Sequence, residues 1–146
     1  MCSSNSPHFL SFADNKKIML NILAIMAGGS IGAACRHGMF LFVQRFAGPV
    51  FPAGTLAVNL LGSFLIGFIW CLFDETHWSH EWRLFVFTGL LGGFTTFSTF
   101  TRETFQLFRA GAWKTALLYA TFSNIFGILL VFCGIILCKQ IILMLR

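Results

Sequence analysis

The chain has 146 residues, of which 57% are hydrophobic and only 10% charged, with a mean hydropathy of +0.80. A soluble domain carries about 25% charged residues, so a water-facing fold of this size would lack the charge to cover its surface, and soluble enzyme classes are excluded first. Ten Lys and Arg against five Asp and Glu give a net charge of +5, but the basic residues are scattered between apolar runs; no nucleic-acid partner is expected, and juxtamembrane charge is the better reading.

Residues 1–15 are polar, with Ser3, Ser4, Asn5, Ser6, Pro7 and His8, and read as a disordered tail. No charged start precedes a short apolar core there, so a cleaved signal peptide is not expected. Residues 16–146 are expected to form a single transmembrane domain. Charge-free stretches run from Ile18 to Cys35, Phe46 to Phe73, Leu84 to Thr101 and Thr115 to Cys138. Each reaches the roughly 18 residues that carry a helix across the hydrocarbon of a bilayer. Their continuous apolar character, without strand-like alternation, favours helices over a barrel. The expected fold is therefore an all-α membrane protein with four transmembrane helices and short connections near Arg45 to Pro52, Asp74 to Arg83 and Arg109 to Lys114. Asp74, Glu75 and Glu81 read as loop charges.

In the first span, Gly28, Gly29 and Gly32 give the small-residue spacing that lets helix backbones approach, as do Gly89 and Gly93 in the third. Arg36 follows the first apolar run and is placed near the far end of that helix. Its guanidinium keeps its proton, so it must snorkel, pair or face water. His37 reads as its interface neighbour, and His77 and His80, beside Trp78 and Trp82, as part of an interfacial belt. Asn59 lies mid-span in the second helix and Asn124 mid-span in the fourth. Tyr119 and Ser123 are four apart and share a helical face with each other. Two Asn, a Ser and a Tyr at comparable depth point to a polar path through the bundle.

The third span contains Gly92-Gly93-Phe94-Thr95-Thr96-Phe97-Ser98-Thr99-Phe100. Paired Gly followed by β-branched Thr is poor material for an uninterrupted helix, which predicts a break near Gly92 to Thr95. Backbone groups freed by a break within a membrane are tolerated only in a protein-lined or water-filled setting, where they can meet ions. Phe97 and Phe100 are three apart and share a face, with electropositive ring edges. Glu103 lies past the run, where it would cap or line an entrance. Cys2, Cys35, Cys71, Cys133 and Cys138 form no CxxC and have no His at ligand spacing, so they read as small helix residues rather than disulfide or metal partners.

Orientation should follow loop Lys and Arg. One side collects Lys16, Lys17, Arg83, Lys139 and Arg146; the other collects Arg45, Arg109 and Lys114, with Arg36 and Arg102 if these count as loop residues. A balance of five against five suggests insertion both ways and hence an antiparallel homodimer, whereas five against three, the count if Arg36 and Arg102 lie inside the membrane, weakens that expectation.

From about Ile18 onward, and most specifically in GGFTTFSTF, the chain resembles the Fluc (CrcB-type) fluoride channel family. The segments that carry the resemblance are GGSIGAACR (28–36), FPAGTLAVNLLGSFLIG (51–67), GLLGGFTTFSTFTRET (89–104) and YATFSNIFG (119–127). The resemblance implies an antiparallel, dual-topology homodimer in the bacterial inner membrane, with two fluoride pores, a broken third helix and a structural sodium ion at the dimer centre. It implies that the carbonyls of Gly92 and Thr95 from both subunits hold the sodium. By the same resemblance Phe97 and Phe100 are the aromatic pair whose edges meet fluoride, Asn59 and Ser123 line the pore, and Tyr119 stands beside them. Thr96, Ser98 and Thr99 fit a hydroxyl track, and Arg36 and Glu103 fit positions near the vestibules. The implied purpose is passive export of fluoride, which enters cells as the un-ionised acid and dissociates inside.

Two other readings compete. A small proton-coupled exporter would need a titratable carboxylate within the membrane, and Glu103 at a helix end is the only candidate. A non-transporting assembly subunit would use the polar residues as packing glue. An enzyme is least favoured, since no nucleophile, base and orienting group occur together.

Overall fold

The computed structural model describes residues 12–48, 51–76 and 78–145, and every regular element among them is helical. These are α1 (Phe12–Gln44), α2 (Ala53–Glu75), α3 (His80–Arg83), a π-helical stretch at Leu84–Leu91, α4 (Gly92–Phe94), α5 (Phe97–Arg109) and α6 (Trp113–Leu145). Four segments are long and apolar enough to cross a membrane: Asp14–Gln44, Ala53–Glu75, His80–Arg109 and Trp113–Leu145.

The bounds differ from the charge-free stretches for local reasons. α1 begins at Phe12, so Phe12 to Asn15 are helical rather than part of a tail, while residues 1–11 lie outside the described residues, as do His77 and Arg146. α1 also runs on through the apolar Met39 to Val43 and ends at Gln44. Arg36 is consequently inside the helix and not near its far end, because one charged residue with a flexible stem does not stop a helix whose apolar run resumes after it. α2 starts only at Ala53, after Pro52, which lacks an N–H and suits the start of a helix. Asp74 and Glu75 close α2 and Glu81 lies in α3, so none of the three is a loop charge. α5 ends in a Schellman turn: Gly111 takes φ 75°, its N–H donates to the Phe108 carbonyl at 3.0 Å and the Ala112 N–H to that of Leu107 at 3.0 Å.

Small residues set the packing. A methyl group built on Gly89 would stand 2.9 Å from the Gly28 Cα and 2.8 Å from the Ile25 carbonyl, and one on Gly93 would stand 2.6 Å from the Gly29 carbonyl. The two glycine pairs therefore do what their spacing predicts and seat α1 directly on the third span. A second glycine seam joins α2 to α6, where a methyl group on Gly67 would collide with the Val131 backbone and one on Gly134 with the backbone at Phe64 and Phe68. In that register α2 and α6 run side by side in the same direction. Phe100, Leu107, Ala116 and Tyr119 form a buried cluster where α5 meets α6, with Leu56 of α2 against it. The outward faces of α1 and α6, with exposed Met19, Leu23, Leu118 and Ile128, suit lipid.

Candidate functional site

The third span changes character at Thr95 and Thr96. Thr95 has φ −79° and ψ 157°, Thr96 has φ −149° and ψ 110°, and helical geometry resumes at Phe97. Gly92 and Gly93 themselves stay helical in α4, because glycine in a helix costs entropy but no contact, whereas the extended residues find side-chain partners.

Those partners are specific. Asn59 of α2 takes Thr96 by both backbone groups: its Oδ1 accepts the Thr96 N–H at 2.9 Å and its Nδ2 donates to the Thr96 carbonyl at 3.1 Å. The Thr96 hydroxyl caps α5, accepting the Thr99 N–H at 3.3 Å while donating to the Thr99 hydroxyl at 3.0 Å. In an unbroken α-helix the Thr96 N–H would bond to the Gly92 carbonyl and the Thr99 N–H to the Thr95 carbonyl. Both donors are turned to side chains, so both carbonyls are left without their helical partners, at the edge of one groove.

That groove has a volume of about 430 Å³, and Asn59, Gly92, Thr95, Thr96, Phe97, Phe100 and Ser123 are among its lining residues. The Phe97 and Phe100 rings lie 5.7 Å apart, tilted by 42°. Phe97 is 74% exposed while Phe100 is buried, so the pair presents one ring to the open groove and anchors the other in the core. The Ser123 Oγ is buried and has no hydrogen-bond partner among the described residues. A second cavity of about 300 Å³ lies on the other side of Thr96 and is lined by Arg36, His37, Thr55 and Thr99 among others. Arg36 makes no ion pair among the described residues. Thr96 borders both cavities.

Glu103 and Tyr119 line neither cavity. Glu103 lies inside α5 rather than beyond a helix end, and its carboxylate joins three helices: Oε1 accepts from the Thr55 hydroxyl at 2.9 Å and Oε2 from the Tyr119 hydroxyl at 3.0 Å. Tyr119 in turn packs on Phe100 at 5.2 Å between ring centroids. Ser98 is exposed and its hydroxyl lies 3.4 Å from that of Thr96. Asn124 satisfies itself on the Ala120 carbonyl at 2.7 Å, within its own helix.

Thr55, 2% exposed, was not singled out by the sequence, although Thr55, Asn59 and Gly62 share the i, i+4, i+7 face of α2 that meets the third span. No group of three or more His, Cys, Asp and Glu able to hold a metal occurs among the described residues.

Residues 23–135 match the family model described as CrcB-like protein, Camphor Resistance (CrcB). The chain is 48% identical over 128 residues to a protein of Parabacteroides distasonis named fluoride-specific ion channel FluC, covering 88% of this chain and all of that one. It is 40% identical over 125 residues to a protein of the same name from Desulfotalea psychrophila, covering 86% and 97% of the two chains. A third, from Agrobacterium fabrum, is 44% identical over 124 residues, covering 84% and 99%.

Proposed function

This chain belongs to the CrcB-like family, and from that premise we infer that it is a fluoride-specific ion channel, a multi-pass protein of the bacterial inner membrane that lets fluoride leave the cytoplasm passively. The observation that carries the reading on the structural side is the groove where Phe97, Asn59 and the unpartnered Ser123 hydroxyl face one path. Fluoride is small and strongly hydrated, so a selective path must replace its water with close donors. Ser123 has a hydroxyl hydrogen to give, and the Asn59 amide has a second N–H beyond the one held by Thr96. The edges of Phe97 and Phe100 are electropositive and suit an anion passing between rings. Ser98 and Thr99 extend the hydroxyls along the start of α5, and Arg36 places a fixed positive charge at the second cavity, where an anion would gather before entry. Glu103 and Tyr119 act from behind: they hold Phe100 and tie α5 to α2 and α6.

The working unit in this proposal is an antiparallel homodimer inserted with dual topology. A single chain leaves Phe97 exposed on the open groove. A second copy would close the groove. The break in the third helix serves a structural sodium ion at the dimer centre, held by the Gly92 and Thr95 carbonyls of both copies. The residues fit, since both carbonyls lack their helical donors and carbonyl oxygen suits a hard cation. Bound there, sodium would supply a fixed positive charge that offsets the cost of stripping water from the anion.

The test is release of fluoride from liposomes holding the purified protein, with chloride as the paired control and no proton gradient. Fast release of fluoride alone is expected. Release only under a proton gradient would replace the channel with a coupled exporter, and no release from folded protein would leave an assembly subunit.

A further inference from the structure

The α2–α6 seam carries a pair of thiols that the ion path does not use. Gly67 and Cys71 are one turn apart on α2, and Gly134 and Cys138 are one turn apart on α6. The glycines put the two backbones in contact, Gly67 against Val131 and Gly134 against Phe64 and Phe68. The parallel register carries that close approach one turn further, to Cys71 and Cys138. There the register sets the two cysteines opposite each other on facing helices, buried to 6% and 1% exposure and both in the free form. Disulfides need Cα atoms about 4.4 to 6.8 Å apart, and a seam at which two helices touch through glycine is one of the few places where parallel helices come so near. Cys71 lies one turn before Glu75, and Cys138 adjoins Lys139, so the pair sits toward the charged end of the seam rather than at mid-span.

We propose that Cys71 and Cys138 are an oxidation site, at which hydrogen peroxide or a related two-electron oxidant joins them in a disulfide that staples α2 to α6. One sulfur attacks a peroxide oxygen, the O–O bond breaks, and a sulfenic acid and water are formed. The second thiol displaces the sulfenic oxygen as water and closes the S–S bond. In sum, two thiols and one hydrogen peroxide give one disulfide and two waters, with two electrons passing from sulfur to oxygen. The staple lies along the same two helices that supply Asn59 and Ser123 to the groove, so it fixes the spacing of the groove's wall.

The experiment uses the full-length protein in detergent with Cys2, Cys35 and Cys133 replaced by Ser. It is treated with hydrogen peroxide, or in parallel with the azo oxidant diamide, then unfolded, alkylated and digested for mass spectrometry. The expected result is a peptide linking Cys71 to Cys138, lighter by two hydrogens, reversed by dithiothreitol and absent in Cys71→Ser, together with a raised melting temperature. Full alkylation of both thiols after both oxidants, or separate overoxidation of each to sulfinic acid, would overturn the proposal. The readout does not involve fluoride, so it fails or succeeds independently of the channel reading.

Discussion

Asn59 substitutes for a missing turn of helix. By accepting the Thr96 N–H at 2.9 Å and donating to the Thr96 carbonyl at 3.1 Å, one amide side chain on α2 satisfies both backbone groups of an extended residue inside a membrane span. Such groups cannot be left unpaired in hydrocarbon, where each would cost several kcal/mol, on the order of 2 to 7. The Gly92 carbonyl is freed by the same contact.

Asn59→Asp should abolish fluoride conduction. A carboxylate still accepts the Thr96 N–H but has nothing to donate, so it sets an oxygen against the Thr96 carbonyl and a negative charge beside the anion's path. Liposome efflux checks this, and conduction at the parent rate would remove Asn59 from the path.

Phe97→Ile and Phe100→Ile should both suppress fluoride flux, yet differ in stability. Phe97 is 74% exposed within its own chain, so its replacement should spare the packing of each protomer and act on the melt only through the dimer contact, whereas Phe100 is buried against Tyr119 and its loss should cost about 1 to 3 kcal/mol. Flux and thermal melts on the same samples separate the two effects. Undiminished flux in either variant would exclude that ring from conduction.

Tyr119→Phe keeps the ring on Phe100 but leaves Glu103 Oε2 without its donor. The expected cost is about 1 kcal/mol, since the stranded acceptor is only half-buried. Glu103→Gln on that background should recover part of it, because removing the charge removes most of the stranding. Denaturation in detergent of these two variants and of Glu103→Gln alone reads the cycle, and additive effects would deny that the pair is coupled.

Gly134→Leu should fail to assemble or melt far below the parent. Its side chain would enter the backbone at Phe64 and Phe68, which no rotamer change can relieve. Gly38→Ala, where a methyl group meets nothing within 4 Å, is the control and should be neutral or slightly stabilising. Size-exclusion profiles and melts distinguish the outcomes.

Depleting sodium during purification should loosen the dimer centre if the Gly92 and Thr95 carbonyls hold the ion. Ion content per dimer and dimer stability, compared in sodium and in a bulky organic cation, provide the measurement. Equal stability with no bound sodium would refute the site.

The four spans could be read from the chain because crossing a bilayer imposes a length and a hydropathy that no soluble context imitates. That Gly28, Gly32, Gly89 and Gly93 let helix backbones approach was visible in their spacing, but that they seat α1 on the third span was not. The polar character of Asn59, Ser123 and Tyr119 was visible too, as was the aromatic pair. Helix ends were less so: α1 continues past Arg36 and Glu103 sits inside α5, because a charged residue at the edge of an apolar run resembles a terminus whether or not the helix ends there.

Only the tertiary structure decided who partners whom. That the extended residues are Thr95 and Thr96, not the paired glycines, depends on Asn59 arriving from α2, 37 positions away. That Glu103 ties Thr55 to Tyr119, and that Cys71 and Cys138 fall at the same level of facing helices, depends on the α2–α6 seam, whose register is set by which backbones can touch at Gly67 and Gly134. Hydropathy acts along the chain and can be summed from residues alone; hydrogen bonds and close packing act over a few ångströms between segments remote in sequence, and they exist only once the helices have been placed side by side.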